Sequence, residues 1–252
     1  MVYGTGTKII GVSSGKGGVG KTTFSINLSA ALYEMGYQNI LVDGDISNAN
    51  LSVQLGLQHN TITVQDLVTE KLNPMHAIRI HHSGLRILPA ALSIQKANVE
   101  MHDLRTRLSP LNETFIMDFP PGIARNVEQL MELCDEIIVL TTPEVTSITD
   151  AVKTVELAKQ LRKPFLGMVV NRVSGEWFEL TPAEIQSMSE SHILGTIAED
   201  KKVKRSNFES LPYVFRYPYS KAAIDTRLIA CRLLGKPYSG PKYNFLRNLL
   251  ER

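Results

Sequence analysis

Residues 8–23 read Lys8-Ile-Ile-Gly-Val-Ser-Ser-Gly-Lys-Gly-Gly-Val-Gly-Lys-Thr-Thr23. The apolar run at residues 9–12 predicts a buried strand, and the pattern from residue 22 to about residue 35 predicts a helix. Between them, residues 15–22 match G-x-x-x-x-G-K-[ST], the P-loop motif. Glycines let the backbone N–H groups of such a loop turn toward phosphate oxygens, and the positive end of the next helix faces the same anion. The stretch therefore predicts a phosphate-binding loop.

This loop supplies the first candidate site residues. Lys21 can reach the β- and γ-phosphates of a nucleotide, and the Thr22 hydroxyl can ligate Mg²⁺. The residues predicted to bind the nucleotide here are Gly17, Gly18, Val19, Gly20, Lys21, Thr22 and Thr23. The alternative is a glycine-rich turn that binds nothing, but strand, loop and helix follow in the order that the motif requires.

Lys16 is the unusual member of the loop, because a second lysine is not needed to hold phosphate within one chain. With its neighbours up to Thr22 it resembles the deviant P-loop, K-G-G-x-G-K-T, of the MinD/ParA family of ATPases. The resemblance covers nearly the whole chain, from Lys8 to the C-terminal tail. It implies that Lys16 is catalytic and reaches the nucleotide bound by a partner subunit. The alternative for Lys16 is an idle surface lysine.

Acidic residues follow two predicted strands. The strand at residues 40–42 ends in Asp43-Gly-Asp45, at the edge where ligands bind in open α/β sheets. The segment from Asp45 resembles switch I of the family, which implies that Asp45 orients the attacking water and lies at the Mg²⁺ site. The alternative for Asp45 is the N-cap of the next helix. A second predicted apolar strand ends at Asp118, which is where a Walker-B aspartate binds Mg²⁺. The sequence Asp118-Phe-Pro-Pro-Gly122 resembles switch II of the family, in which the Gly122 N–H could face the γ-phosphate.

Asn171 and Arg172 are the candidate base-binding residues, at the end of a predicted strand over residues 165–170. An amide side chain offers both a donor and an acceptor, which suits the edge of adenine. The Asn-Arg pair resembles the family's, which implies contact with adenine; a turn or helix cap is the alternative for Asn171. At residues 197–200 the family often has Ile-Pro-Glu-Asp, whereas this chain has alanine in place of the proline. The family's adenine contacts in that loop are therefore not carried over.

Composition fits one globular domain. The chain has 252 residues and is 43% hydrophobic, and alternating strands and helices predict a three-layer α/β/α P-loop NTPase fold with a mostly parallel central sheet. Residues 1–236 would form the ATPase domain. The formal net charge of +2 gives no strong preference for polyanions, and the two cysteines, Cys134 and Cys231, form no C-x-x-C. We therefore expect no DNA binding and no metal or disulfide role for the cysteines.

The predicted tail consists of a linker, residues 237–241, and a C-terminal amphipathic helix, residues 242–252. Drawn as a helix, the tail gathers its apolar side chains in an arc of roughly 160°. That arc holds Tyr243, Phe245, Leu246, Leu249 and Leu250, and Arg247 and Arg252 flank it. It resembles the membrane-targeting helix of MinD members of the family; a helix packed against protein is the alternative. No signal peptide or membrane-spanning run is apparent, so we expect a cytoplasmic protein, peripheral on the inner face of the cell membrane.

Together these features favour a Mg²⁺-dependent ATPase that converts ATP to ADP, dimerises with ATP and binds an anionic membrane surface reversibly to position cellular machinery. The resemblance also implies an activating protein, which the sequence does not identify. Two alternatives share the fold: a ParA-type ATPase that partitions DNA, for which residues 201–205 are a small basic candidate surface, and an ATPase that inserts metal or metal clusters.

Overall fold

The computed structural model describes residues 6–46, 48–57, 62–91, 99–238 and 240. Its strands are β1 (Lys8–Ser13), β2 (Asn39–Asp43), β3 (Arg79–Ile80), β4 (Arg86–Leu88), β5 (Thr114–Asp118), β6 (Glu136–Thr141), β7 (Phe165–Val173) and β8 (Ile193–Ala198). They form one sheet in the order β3-β4-β2-β5-β1-β6-β7-β8. Neighbouring strands are parallel except β3, which runs antiparallel to β4.

Helices cover both faces of this sheet. They are α1 (Lys21–Glu34), α2 (Asn50–Gln54), α3 (Val64–Thr69), α4 (Leu104–Leu108), α5 (Arg125–Leu133), α6 (Val145–Gln160), α7 (Pro182–Ser189), α8 (Lys201–Phe208), α9 (Tyr213–Arg216) and α10 (Lys221–Leu233). Buried side chains of α1, α2, α9 and α10 pack on one face, and those of α3 to α7 pack on the other. The predicted three-layer α/β/α fold with a mostly parallel sheet is confirmed.

The central strands are largely apolar because they are buried on both faces. Successive side chains of β1 and β5 alternate between the two cores: Ile9 and Phe115 join one, and Ile10 and Ile116 join the other. The chain places α1, which follows β1, and α6, which follows β6, on opposite faces. The crevice beside the carboxyl end of β1 is thus the topological switch point, where α/β proteins bind ligands.

Helix ends follow local chemistry. Thr181 and Glu184 form the reciprocal cap that their spacing predicts, with the Glu184 N–H donating to the Thr181 hydroxyl at 3.3 Å and the Thr181 N–H donating to the Glu184 carboxylate at 2.8 Å. Ser220 caps α10 by accepting from the Ala223 N–H at 3.2 Å. The alternative of Asp45 as a helix N-cap is wrong, because the next helix begins at Asn50.

Two parts of the predicted organisation are not tested. The linker at residues 237–241 is described only in part, and the amphipathic helix predicted for residues 242–252 lies outside the described residues. None of the described helices is long and apolar enough to cross a membrane.

Candidate nucleotide-binding site

The predicted phosphate-binding loop joins β1 to α1, and close backbone contacts define its shape. A Cβ at Gly15 would lie 2.1 Å from the carbonyl oxygen of Asp150 on α6, so only glycine allows the loop to approach this helix. Gly20 has a φ of 93°, a left-handed conformation that favours glycine. The next residue, Lys21, begins α1. The loop therefore ends at a helix N-terminus, as a phosphate-binding loop requires.

Asp118 is the centre of a buried cluster at the carboxyl end of β5. Its carboxylate accepts hydrogen bonds from Lys21 Nζ at 3.1 Å, from the Thr22 hydroxyl at 2.6 Å and from the Ser25 hydroxyl at 2.8 Å. Lys21 and Asp118 are both buried. The structure thus places the predicted Mg²⁺ ligands Thr22 and Asp118 side by side. Hydroxyl and carboxylate oxygens are donors that Mg²⁺ prefers, so this donor set fits that ion.

Asp43 lies beside Asp118, because the two residues are paired in register across β2 and β5. Asp43 is completely buried, and its Oδ2 has no hydrogen-bond partner in the described part of the structure. Burial, followed by the charge of Asp118, raises the pKa of Asp43 well above its ordinary value, and the hydrogen bond from the Asp45 N–H opposes this rise. The site therefore holds more acid than Lys21 can neutralise, as a cation-binding site would.

Asp45 follows two residues later and lines the same crevice. Its N–H donates to Asp43 Oδ1 at 3.2 Å, and its own Oδ1 accepts from the Asn48 N–H at 3.1 Å. These short-range contacts fix Asp45 at the edge of the sheet. The predicted catalytic residue is thus placed in the crevice that contains Lys21 and Thr22.

The crevice contains a cavity of about 460 Å³, which is lined by the P-loop, Asp45 and Pro121. We call this cavity the phosphate half of the cleft. A smaller cavity of about 80 Å³, which we call the base half, is lined by Asn171, the loop at residues 198–200 and side chains of α8. The two halves share Gly20, Thr23 and Arg172. The two halves are therefore continuous and form one elongated cleft.

Three predicted residues have other partners within the chain. The Asn171 side-chain amide donates to the Val19 carbonyl at 2.7 Å, which ties the base half to the P-loop. The Gly122 N–H, which was predicted to face a γ-phosphate, donates to the Ser14 carbonyl at 2.8 Å. Lys16 Nζ lies 3.5 Å from the carboxylate of Glu144, and the Lys16 side chain is 46% exposed. Lys16 is thus at the rim of the cleft and accessible from outside the chain.

The sequence profile described as "ParA: NUBPL iron-transfer P-loop NTPase" matches residues 6–227. The chain belongs to the ParA family of P-loop NTPases. This assignment agrees with the P-loop between β1 and α1 and with the acidic residues at the ends of β2 and β5.

Individual members of the family resemble about nine tenths of the chain. An uncharacterized ATP-binding protein of Methanocaldococcus jannaschii is 34% identical over 233 residues, covering 91% of this chain and 88% of that protein. The septum site-determining protein MinD of Bacillus subtilis is 33% identical over 241 residues, covering 89% and 88%. The structure of MinD from Pyrococcus horikoshii complexed with Mg-ADP superimposes with a TM-score of 0.84 at 31% identity, covering 90% and 96%. The expected MinD/ParA relationship is confirmed.

Other residues of this ParA-family site were not found by sequence reasoning. Ser25 lies one turn after Lys21 and donates to Asp118, a spacing that could have indicated it. Gln54 on α2 donates to the Thr23 hydroxyl at 3.0 Å and to Asn207 Oδ1 at 2.8 Å, and Asn207 on α8 donates back to Thr23 at 3.3 Å. This network joins helices that are distant in sequence, and no local pattern signals it.

Proposed function

We propose that the protein is a Mg²⁺-dependent ATPase that hydrolyses ATP to ADP and phosphate. The observation that carries the proposal is the buried cluster of Lys21, Thr22 and Asp118 at the P-loop, with Asp45 in the same cleft. The complex of the similar MinD with Mg-ADP adds support for the nucleotide and the ion. Each member of the cluster suits one part of a metal-bound triphosphate.

The proposed roles follow from the chemistry of each group. The N–H groups of the P-loop and the Lys21 ammonium bind phosphate oxygens, while Thr22 and Asp118 hold Mg²⁺, with Asp45 at the same ion. Mg²⁺ supplies charge neutralisation on the β- and γ-phosphates when it is bound. Asp45 orients the attacking water, as the resemblance to switch I implies. Asn171 and Arg172 bind adenine in the base half of the cleft.

Dimerisation with ATP is the second part of the proposal. Lys16 is half-exposed at the rim of the cleft, and its ammonium forms a long ion pair, at 3.5 Å, with Glu144, which is itself 64% exposed. Such an exposed pair contributes little to stability and is easily exchanged. A second copy of the chain that faces this rim would bring its nucleotide within reach of Lys16, whose charge would then stabilise the transition state.

Membrane attachment is the third part, and it rests on the tail sequence alone. The apolar arc from Tyr243 to Leu250 would bury too little area for a monomer to bind tightly. A dimer carries two tails, and insertion of the second becomes effectively intramolecular, which raises avidity by ~10²-fold or more. ATP would thereby favour attachment at an anionic inner membrane surface, and hydrolysis, stimulated by an unidentified activating protein, would release it. Positioning of cellular machinery, as at a division site, is the cellular role that this cycle suits.

Iron transfer, which the family description names, and the insertion of metal or metal clusters are less well supported. Cys134 and Cys231 are the only cysteines of the chain, and both are free and buried. Cys134 packs in the core on the α5 side of the sheet, whereas Cys231 lies on α10, on the opposite face. Burial also raises the pKa of both thiols, which disfavours the thiolate that binds metal. Apart from the oxygen donors of the proposed Mg²⁺ site, no group of three or more His, Cys, Asp or Glu side chains that could hold a metal ion is found within the described residues.

Hydrolysis is tested with Asp45→Ala, which should bind ATP normally but lose turnover, because it removes a group that acts in the transition state. Asp103→Ala, a half-exposed carboxylate outside the cleft, is the matched control. Unchanged turnover in Asp45→Ala would remove Asp45 from the mechanism, and absence of ATP binding by the wild type would remove the proposed activity.

Membrane and DNA binding are separated by co-sedimentation with anionic liposomes and with DNA, each with ATP and with ADP. The proposal expects ATP-dependent sedimentation with liposomes that falls with salt. Phe245→Glu should abolish it without affecting dimerisation, whereas Asn244→Glu, which places the same charge opposite the apolar arc of the predicted helix, should be tolerated. Sedimentation with DNA in place of liposomes would instead favour a partitioning ATPase, with residues 201–205 on α8 as the candidate DNA-binding surface.

A further inference from the structure

The loop that closes the base half of the cleft is held by a side chain from another helix. β8 ends at Ala198, and residues 198–200 line the base half. The Ala198 N–H donates to Asp225 Oδ2 at 2.9 Å, across 27 residues of sequence. The Glu199 N–H donates to the Val173 carbonyl at 2.9 Å, which fastens the loop to β7. Asp225 thus supplies a restraint that the sheet itself does not provide.

α10, which carries Asp225, is a rigid support for this contact. A Cβ at Gly195 would lie 2.5 Å from Ile229, so helix and strand are packed closely. At the other end of β8 the Arg232 guanidinium donates to the Leu194 carbonyl at 2.6 Å. The helix therefore binds the backbone of β8 at both ends, and only the Asp225 end borders the cleft.

Asp225 is half-buried, and burial disfavours the charged form of its carboxyl group. Burial raises the pKa of its carboxyl, Asp200 adds to the rise, and the Ala198 N–H and Lys221 oppose it. A side chain in such a position is compensated by the hydrogen bond it accepts. A backbone N–H at the end of β8 that lost this acceptor would have to turn toward water, and residues 198–200 would turn with it.

We propose that Asp225 is a positioning residue for nucleotide-base binding, which fixes residues 198–200 against the base half of the cleft through the Ala198 N–H. The inference rests on the proposed function, in which that half binds adenine. Asp225 itself lies outside the lining of the cleft, so it acts through the loop and not by contact with the nucleotide.

The test compares ATP with inorganic tripolyphosphate, which has phosphates but no base, each with Mg²⁺ and measured by calorimetry. Asp225→Ala should weaken ATP binding about tenfold, the effect of losing a hydrogen bond to a charged group. Binding of tripolyphosphate should stay within about twofold of the wild type, and in turnover KM should rise while kcat holds. Asp225→Asn keeps an acceptor oxygen and should retain most of the affinity.

Two further variants separate positioning from general stability. Arg232→Ala removes the other hydrogen bond between α10 and β8, and should leave ATP binding unchanged even if it lowers Tm. Ala198→Pro removes the donor of the same hydrogen bond, and proline is tolerated in edge strands such as β8, so Ala198→Pro should weaken ATP binding as Asp225→Ala does and should add no further loss when the two are combined. If Asp225→Ala does not fold, Asp225→Ser replaces it, because the shorter hydroxyl does not reach the loop.

Equal weakening of ATP and tripolyphosphate, unchanged ATP affinity in Asp225→Ala, or additive losses of ATP affinity when Asp225→Ala and Ala198→Pro are combined would each overturn the inference. A wild-type protein that binds tripolyphosphate but not ATP, or neither, would instead overturn the proposed function.

Discussion

Asp118→Ala should destabilise the protein even without nucleotide. The side chains of Lys21 and Asp118 are only 8% and 1% exposed, with 3.1 Å between Lys21 Nζ and Asp118 Oδ1. Removing one partner of a buried ion pair costs about 3–5 kcal/mol, because the other charge stays buried alone. The hydroxyls of Thr22 and Ser25 lose the same acceptor. Since 1 kcal/mol shifts Tm by about 2–4 °C in a chain of this size, we expect Tm to fall by about 6–20 °C.

The size of the fall in Tm of Asp118→Ala depends on the ionisation of Asp43. The charge of Asp118 is the second cause, after burial, of the raised pKa of Asp43, and Lys21 acts in the opposite direction. Without Asp118, the Asp43 carboxyl ionises more readily and can compensate the Lys21 charge. The fall in Tm should therefore be near the lower limit in the wild-type background and larger in an Asp43→Asn background.

The assay is urea and thermal unfolding in EDTA without nucleotide, for Asp118→Ala, Lys21→Met and the double variant. The double variant should be more stable than the sum of the two single losses predicts, because it leaves no unpaired charge. Asp118→Asn, which keeps the shape and part of the hydrogen bonding, should lose less than Asp118→Ala. Strictly additive losses would show that Lys21 and Asp118 are not coupled, and would refute the argument.

Three shorter predictions concern neighbouring residues. Asp43→Asn should raise Tm in EDTA at about pH 8, and by less near pH 4. Because the pKa of Asp43 is raised in the folded state, the folded wild type binds a proton that the unfolded chain has released, so the stability of the wild type falls as pH rises, and the variant lacks this fall. An equal Tm difference at both pH values would contradict this prediction. Gly15→Ala should prevent stable folding or nucleotide binding because its Cβ would overlap the Asp150 backbone, whereas Gly17→Ala, whose nearest atom is 3.8 Å away, should fold normally when measured by circular dichroism. Lys16→Ala should bind nucleotide but stay monomeric with ATP in size-exclusion chromatography; an unchanged dimer would argue for an idle surface lysine.

Local sequence predicted the elements that carry the phosphate half of the cleft. The glycine-rich loop between β1 and α1 and the acids after β2 and β5 depend on short-range patterns of residue type. The edge strand β3 was not predicted, because Arg79–Ile80 is too short to show a period. Nor could any pattern place Asp225 beside Ala198, since that contact depends on how α10 packs on β8. The fold class followed from the order of elements, whereas long-range polar contacts needed the structure.

The ion pair between Lys21 and Asp118 also bears on how the proposed substrate would enter. In the structure Lys21 donates to the Asp118 carboxylate, which is proposed to hold Mg²⁺, and Thr22, another proposed ligand, does the same. A nucleotide that bound without the ion would draw Lys21 toward phosphate and leave the Asp118 carboxylate unneutralised in a buried site. An ion that bound without nucleotide would leave Lys21 without its partner. Because each of these half-occupied states buries an uncompensated charge, phosphate and Mg²⁺ are expected to bind together, and ATP affinity should fall steeply when Mg²⁺ is removed by EDTA.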